Sequence, residues 1–184
     1  MADRTTDHAD IRLPALLLGI GLGGFADGIV LHQVLQWHHM LSATGSDNVG
    51  IRGYPVDTVA GLRMNTLWDG LFHVVTWVSV LTGLALLSAR VTTGRGRLWR
   101  SRALWGWALV GWGSFNLVEG IVDHHLLGIH HVRPGAHQLW WDLGFLALGV
   151  VLIAAGWLLQ RDTRRVDADD TVGPVSHDVP VEQR

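Results

Sequence analysis

Four apolar blocks limit what this chain can become: Leu13 to Leu35, Leu67 to Ala89, Ala103 to Leu127 and Leu139 to Leu159. Each is close to the roughly 20 residues that a helix needs to cross the hydrocarbon core of a bilayer, and none contains arginine. A soluble helical bundle would show a polar stripe along each helix. The runs VVTWVSVLTGLALLSA (74–89) and LGFLALGVVLIAAGWLL (143–159) have none. The first block lacks the small-residue cleavage site of a signal peptide and ends in His and Trp, so it reads as a retained helix. The expected fold is an all-α membrane protein of four transmembrane helices.

Arginine placement predicts the orientation. Residues 90–102 hold five arginines and no acid, and residues 161–165 add three more. By the positive-inside rule both segments face the cytoplasm. Both termini then lie inside, and the loops at 41–64 and 128–138 face outward across a plasma membrane. The division that follows is an N-terminal tail over 1–11, a transmembrane domain over 12–160, and a polar, disordered cytoplasmic tail over 161–184. Cysteine is absent, which excludes disulfides and thiolate metal sites. The net charge of -2 offers nothing for nucleic acid.

A repeat carries the functional signal. DGIVLHQVLQWHH (27–39) aligns without gaps on EGIVDHHLLGIHH (119–131), and WDGLF (68–72) resembles WDLGF (141–145). The transmembrane domain therefore reads as two tandem two-helix repeats, 12–89 and 103–160. An even number of spans gives both copies the same orientation about an axis along the membrane normal.

At about 1.5 Å rise per residue, Asp27 with His32, and Glu119 with His124, fall at one depth in the outer half of their helices. Asp69 and His73 reach the same layer from helix two, and Asp142 from helix four. Ionisable groups inside a bilayer are costly unless paired or ligated, and mark functional sites. The candidate metal ligands are Asp27, His32, His38, His39, Asp69, His73, Glu119, Asp123, His124, His125, His130 and His131. Helical phase is a difficulty: residues five apart, as Asp27 and His32 are, sit about 140° apart on a regular α-helix, so a single centre requires the helices to unwind near Trp37 and Ile129. Asp69 stands at capping-box spacing from Thr66, so a helix cap competes with ligation. Asp142 invites the same structural reading. His8 and His177 fall in the tails, and His137 reads as interfacial.

Imidazole and carboxylate without sulfur suit copper or zinc, with non-haem iron as a further option. Asn116, Gln33 and Gln36 could orient ligating imidazoles. GLGGFADG (21–28) reads as a close-packing surface. The motifs FADGIVLHQVLQWHHM (25–40), LWDGLFH (67–73) and NLVEGIVDHHLLGIHHVR (116–133) resemble a bacterial membrane-protein family known as domain of unknown function 2243. That resemblance implies a polytopic membrane protein and no particular activity. The leading expectation is a membrane-embedded, multinuclear His/carboxylate metal site serving redox chemistry or metal handling, with another membrane enzyme or a second copy of the chain as partner. An oxidoreductase-like enzyme is one form of this. The alternatives are an ion or proton-coupled transporter, or an electron carrier with haem held by His32 and His124.

Overall fold

A computed structural model describes residues 11–45, 50–90 and 101–169. Among these residues there are helices and no strands. Helix α1 (Arg12–Ala26) passes directly into a π-helical segment, Asp27–Val34. Helix α2 covers Val59–Arg90. Helix α3 (Arg102–Glu119) runs into a second π-helical segment, Gly120–Leu126. Helix α4 covers Gln138–Asp169. Arg95, Arg97 and Arg100 of the basic loop, together with His8 and His177, lie outside the described residues.

Three helical stretches are long and apolar enough to cross a membrane: Arg12–Val34, Val59–Ala89 and Gln138–Arg161. The stretch built on α3 is diluted by Trp, Gly, Ser114, Asn116 and Glu119. Its place in the assembly accounts for that composition. α1 packs on α2 and on α3, and α4 packs on α3, which orders the helices α2–α1–α3–α4. α3 is an inner helix with neighbours on both sides, so small and polar residues there face protein rather than lipid.

Glycine permits the inner pair to approach closely. A side chain at Gly19 would collide with the Ala108 carbonyl, and one at Gly111 with the Leu16 carbonyl. Gly24 meets Thr76 and Phe115, and Gly28 meets His73 and Phe72, so the 21–28 run packs tightly as its composition suggests. At the end of the bundle that holds both chain-entry turns of α1 and α3, Ala15, Leu18, Leu87 and Leu104 form a dry core. Ionisable residues replace that core at the other end.

Both π segments end alike. Leu35 N–H donates to the Val30 carbonyl and Trp37 N–H to that of Leu31; Leu127 N–H donates to Val122 and Ile129 N–H to Asp123. The next step needs a left-handed residue, at Gln36 (φ 49°) and at Gly128 (φ 58°). This is the usual way for a helix to stop and turn its chain back, and here it directs His38 and His130 inward. α2 begins at Val59, well ahead of its apolar block, so Asp69 lies about three turns inside the helix rather than at its cap.

Gly111→Leu should destabilise the detergent-solubilised protein by about 1–3 kcal/mol or more, the usual range for overpacking, seen as a lower midpoint in thermal unfolding by circular dichroism. Gly70, with nothing within 4 Å of an added Cβ, provides the contrast. Gly70→Ala should be neutral or mildly stabilising, since alanine is the better helix former. Equal losses in both variants would refute the close-packing role.

Candidate metal centre

The π segments resolve the phase problem. A backbone bonded i→i+5 brings residues five apart onto one face. His32 Nε2 accordingly lies 3.1 Å from Asp27 Oδ2, and His124 Nε2 lies 3.5 Å from Glu119 Oε1. The wider winding aligns these two pairs, and the helices do unwind at Gln36–Trp37 and Gly128–Ile129, which is what brings His38 and His130 to the same centre.

Two aspartates from the outer helices hold the histidines in place. Asp69 accepts from His32 Nδ1–H at 2.9 Å, His39 Nδ1–H at 2.6 Å and the Met40 amide at 2.8 Å. Asp142 accepts from His131 Nδ1–H at 2.7 Å and the Val132 amide at 2.9 Å, with His124 Nδ1 3.5 Å away. The capping reading of both aspartates is thereby corrected: each carboxylate spans from its own helix to the turn after a π segment. Asn65, fully buried, performs a related task that its sequence position did not reveal. Its side chain accepts from the Leu41 amide and donates to the Tyr54 and Gly61 carbonyls.

The remaining contacts cross between the two halves. His38 Nδ1–H donates to the Val132 carbonyl at 2.9 Å, and His130 Nδ1–H to the Met40 carbonyl at 3.0 Å. The two rings stack at 4.6 Å and are nearly parallel, at 3°. Carbonyl acceptors fix the tautomer, because a carbonyl can only receive a hydrogen bond. His38 is left with an unprotonated Nε2 pointing into the centre. Its pKa lies well below the ordinary histidine range, because burial and the neighbouring His130 and His32 both disfavour the cation. For His130, burial also disfavours the cation. The Glu119 carboxylate, 3.1 Å from its Nε2, outweighs that and raises the pKa.

Six residues thus converge: Asp27, His32 and His38 from one half, Glu119, His124 and His130 from the other. All are at most 5% exposed. Their ligand atoms form three overlapping groups, His32/His38/His130, Glu119/His124/His130 and Asp27/His38/Glu119, each with its atoms within 4.8 Å of one another. Asp27 Oδ1, Glu119 Oε2 and His38 Nε2 are buried without a hydrogen-bond partner, and His32 Nε2 and both nitrogens of His124 face only carboxylate oxygens, at 3.1–3.5 Å. Buried polar atoms in native proteins are nearly always satisfied, so such a concentration fits a bound cation.

The other candidate residues stand apart. His131 spends both nitrogens on Asp142 and on Gln138, which donates to its Nε2 at 3.3 Å. His39 is half-buried and holds Asp69. His73 donates from Nδ1 to the Asp69 carbonyl, and its buried Nε2 has no partner, yet it belongs to none of the three groups. Asp123 is half-buried in a side pocket, and His125 is exposed. Gln33 and Gln36 are exposed, and Asn116 is buried beside Asp27.

Residues 14–163 match the family of predicted membrane proteins designated DUF2243. The chain belongs to that family. No curated protein and no solved structure matches it. For this DUF2243 member, membrane residence therefore stands on both the family and the helices, whereas a chemistry has to be argued from the residues. Its His/carboxylate groups are compatible with metal binding.

Because metal-ligating histidines depend on the groups that orient them, Asp69→Ala and Asp142→Ala should each lower metal affinity by about 10–100-fold. Competition against a chromophoric chelator would measure this. Unchanged affinity in both variants would make the two aspartates purely structural.

Proposed function

We propose that the protein holds a multinuclear His/carboxylate metal centre near the outer face of the plasma membrane, for redox chemistry or for metal handling. The observation that carries this reading is the meeting of six buried His and carboxylate residues in three overlapping groups of ligand atoms. Charge supports it as well. Asp69 and Asp142 are compensated by imidazole and backbone donors, whereas Asp27 and Glu119 face the centre with incomplete pairing, which a bound cation would offset. Burying carboxylates uncompensated would be prohibitive. Histidine outnumbers carboxylate among the six, which favours copper or zinc over the carboxylate-rich di-iron pattern.

We read the domain as four spans in two tandem repeats, with α3 crossing as an inner helix. The matching π segments, left-handed turns and crossed His-to-carbonyl bonds support that reading. The arginine-rich segments support a reading with the termini in the cytoplasm and the centre toward the outer face. A polar recess of about 240 Å³ at Ser42, Thr44, His130, His131 and Gln138 offers a route for an ion from that side. The apolar core at the opposite end, around Leu18 and Leu104, leaves no matching polar path through the described residues, which favours a one-sided centre over a transporter.

Protein purified after growth with copper, zinc and iron should carry bound transition metal by plasma mass spectrometry. His38→Ala and His130→Ala should each lose metal, while His125→Ala should keep it. A metal-free wild type, or equal loss in His125→Ala, would overturn the assignment. A Soret band would indicate haem instead. For orientation, cysteine at Gly96 should resist impermeant thiol reagents in intact cells and cysteine at Ser46 should react. The reverse pattern would turn the centre toward the cytoplasm.

A further inference from the structure

A groove of about 470 Å³ runs in from the surface between α1, α3 and α4. Trp37, Trp112, Trp141 and Phe145 form its walls, and Asp27 and Asn116 are the polar groups that line it. Asp27 is 4% exposed; its Oδ2 faces His32 Nε2 at 3.1 Å, and its Oδ1 has no hydrogen-bond partner. Val30 and Leu148, 45% and 48% exposed, line the groove where it meets the lipid-facing surface. Arg133 sits over the rings of Trp37 and Trp141, at 5.1 and 5.7 Å.

The other half has a counterpart beside Glu119, of about 300 Å³. It is built from aligned positions but with different residues. Phe115 stands where the groove has Gly23, Ile20 where it has Trp112, and Asp123 where it has Leu31. One flank of the centre is therefore widened and walled with indole, and the other is narrower and acidic.

We propose that the groove binds a membrane-soluble hydroquinone-type amphiphile, an aromatic ring bearing hydroxyl donors on an apolar tail. A carboxylate only accepts hydrogen bonds, so Asp27 selects a head group that donates. Indole walls favour a flat ring, through offset or edge-to-face contacts. The tail leaves past Val30 and Leu148 into the hydrocarbon. A lipid acyl chain in the same place would set methylenes against Asp27 and leave its Oδ1 unsatisfied, which is unfavourable in an apolar medium. An aqueous anion would meet apolar walls and a like charge. The inference deepens the metal-centre reading and rests on it for the reason a ring is brought to Asp27, a residue of both sites.

Gly144 lines the groove, and a Cβ added there meets nothing within 4 Å. The aligned residue in the other half is Leu71. Gly144→Leu therefore narrows the groove without disturbing helix packing or the metal ligands. The full chain in detergent micelles is titrated with a decyl-substituted benzohydroquinone, with tryptophan quenching as the readout and empty micelles as the blank. Metal content is measured on the same samples. The wild type should show saturable quenching, Gly144→Leu should bind at least about tenfold more weakly with its metal content intact, and n-decanol should compete poorly. Unchanged affinity in Gly144→Leu, or displacement of the hydroquinone by n-decanol at equal concentration, would overturn the inference. Metal bound without saturable quenching would refute the groove alone. Saturable quenching in a metal-free wild type would refute the metal centre and leave the groove standing.

Discussion

The constraint on which everything else depends is the cost of placing carboxylates at the end of a bundle of membrane helices. Four of them are buried there, from four different helical stretches. Each must be hydrogen-bonded, ion-paired or ligated, because the surrounding medium offers no compensation. Asp69 and Asp142 meet the requirement with imidazole and backbone donors. Asp27 and Glu119 meet it only in part, and they are the two that face the centre. Outer-helix aspartates fix the histidines, and the inner-helix acids each keep an unpartnered oxygen, which is compatible with metal binding.

That arrangement imposes requirements on the rest of the chain. The inner helices must come close enough for His38 and His130 to stack, which the glycines at 19 and 111 permit. Each helix must also end so that its chain returns across the centre. A left-handed residue does this at Gln36 and Gly128. Glycine adopts that conformation freely, whereas glutamine pays a modest strain. The crossed bonds from His38 to Val132 and from His130 to Met40 then tie the two halves together, so neither half completes the centre alone. The two flanks of the centre differ even so. The side pocket next to Asp27 is lined with tryptophan, and the one next to Glu119 with a second acid.

The sequence by itself determined the helical membrane character, because long apolar runs without charge have few other stable arrangements. It also determined that acids and histidines recur in two matched sets near one end, since their positions along the helices follow from counting. It did not reveal which of them meet. An α-helical reading places Asp27 and His32 on different faces, and only π-helical winding, a matter of backbone bonding under packing constraints, aligns them. Nor could counting separate His38 from His39 or His130 from His131. In each pair the first residue turns into the centre, because its Nδ1 finds a carbonyl of the opposite half, and the second turns to an aspartate on the next helix. Those partners are distant in the chain, so only the tertiary structure could decide between neighbours that are chemically identical.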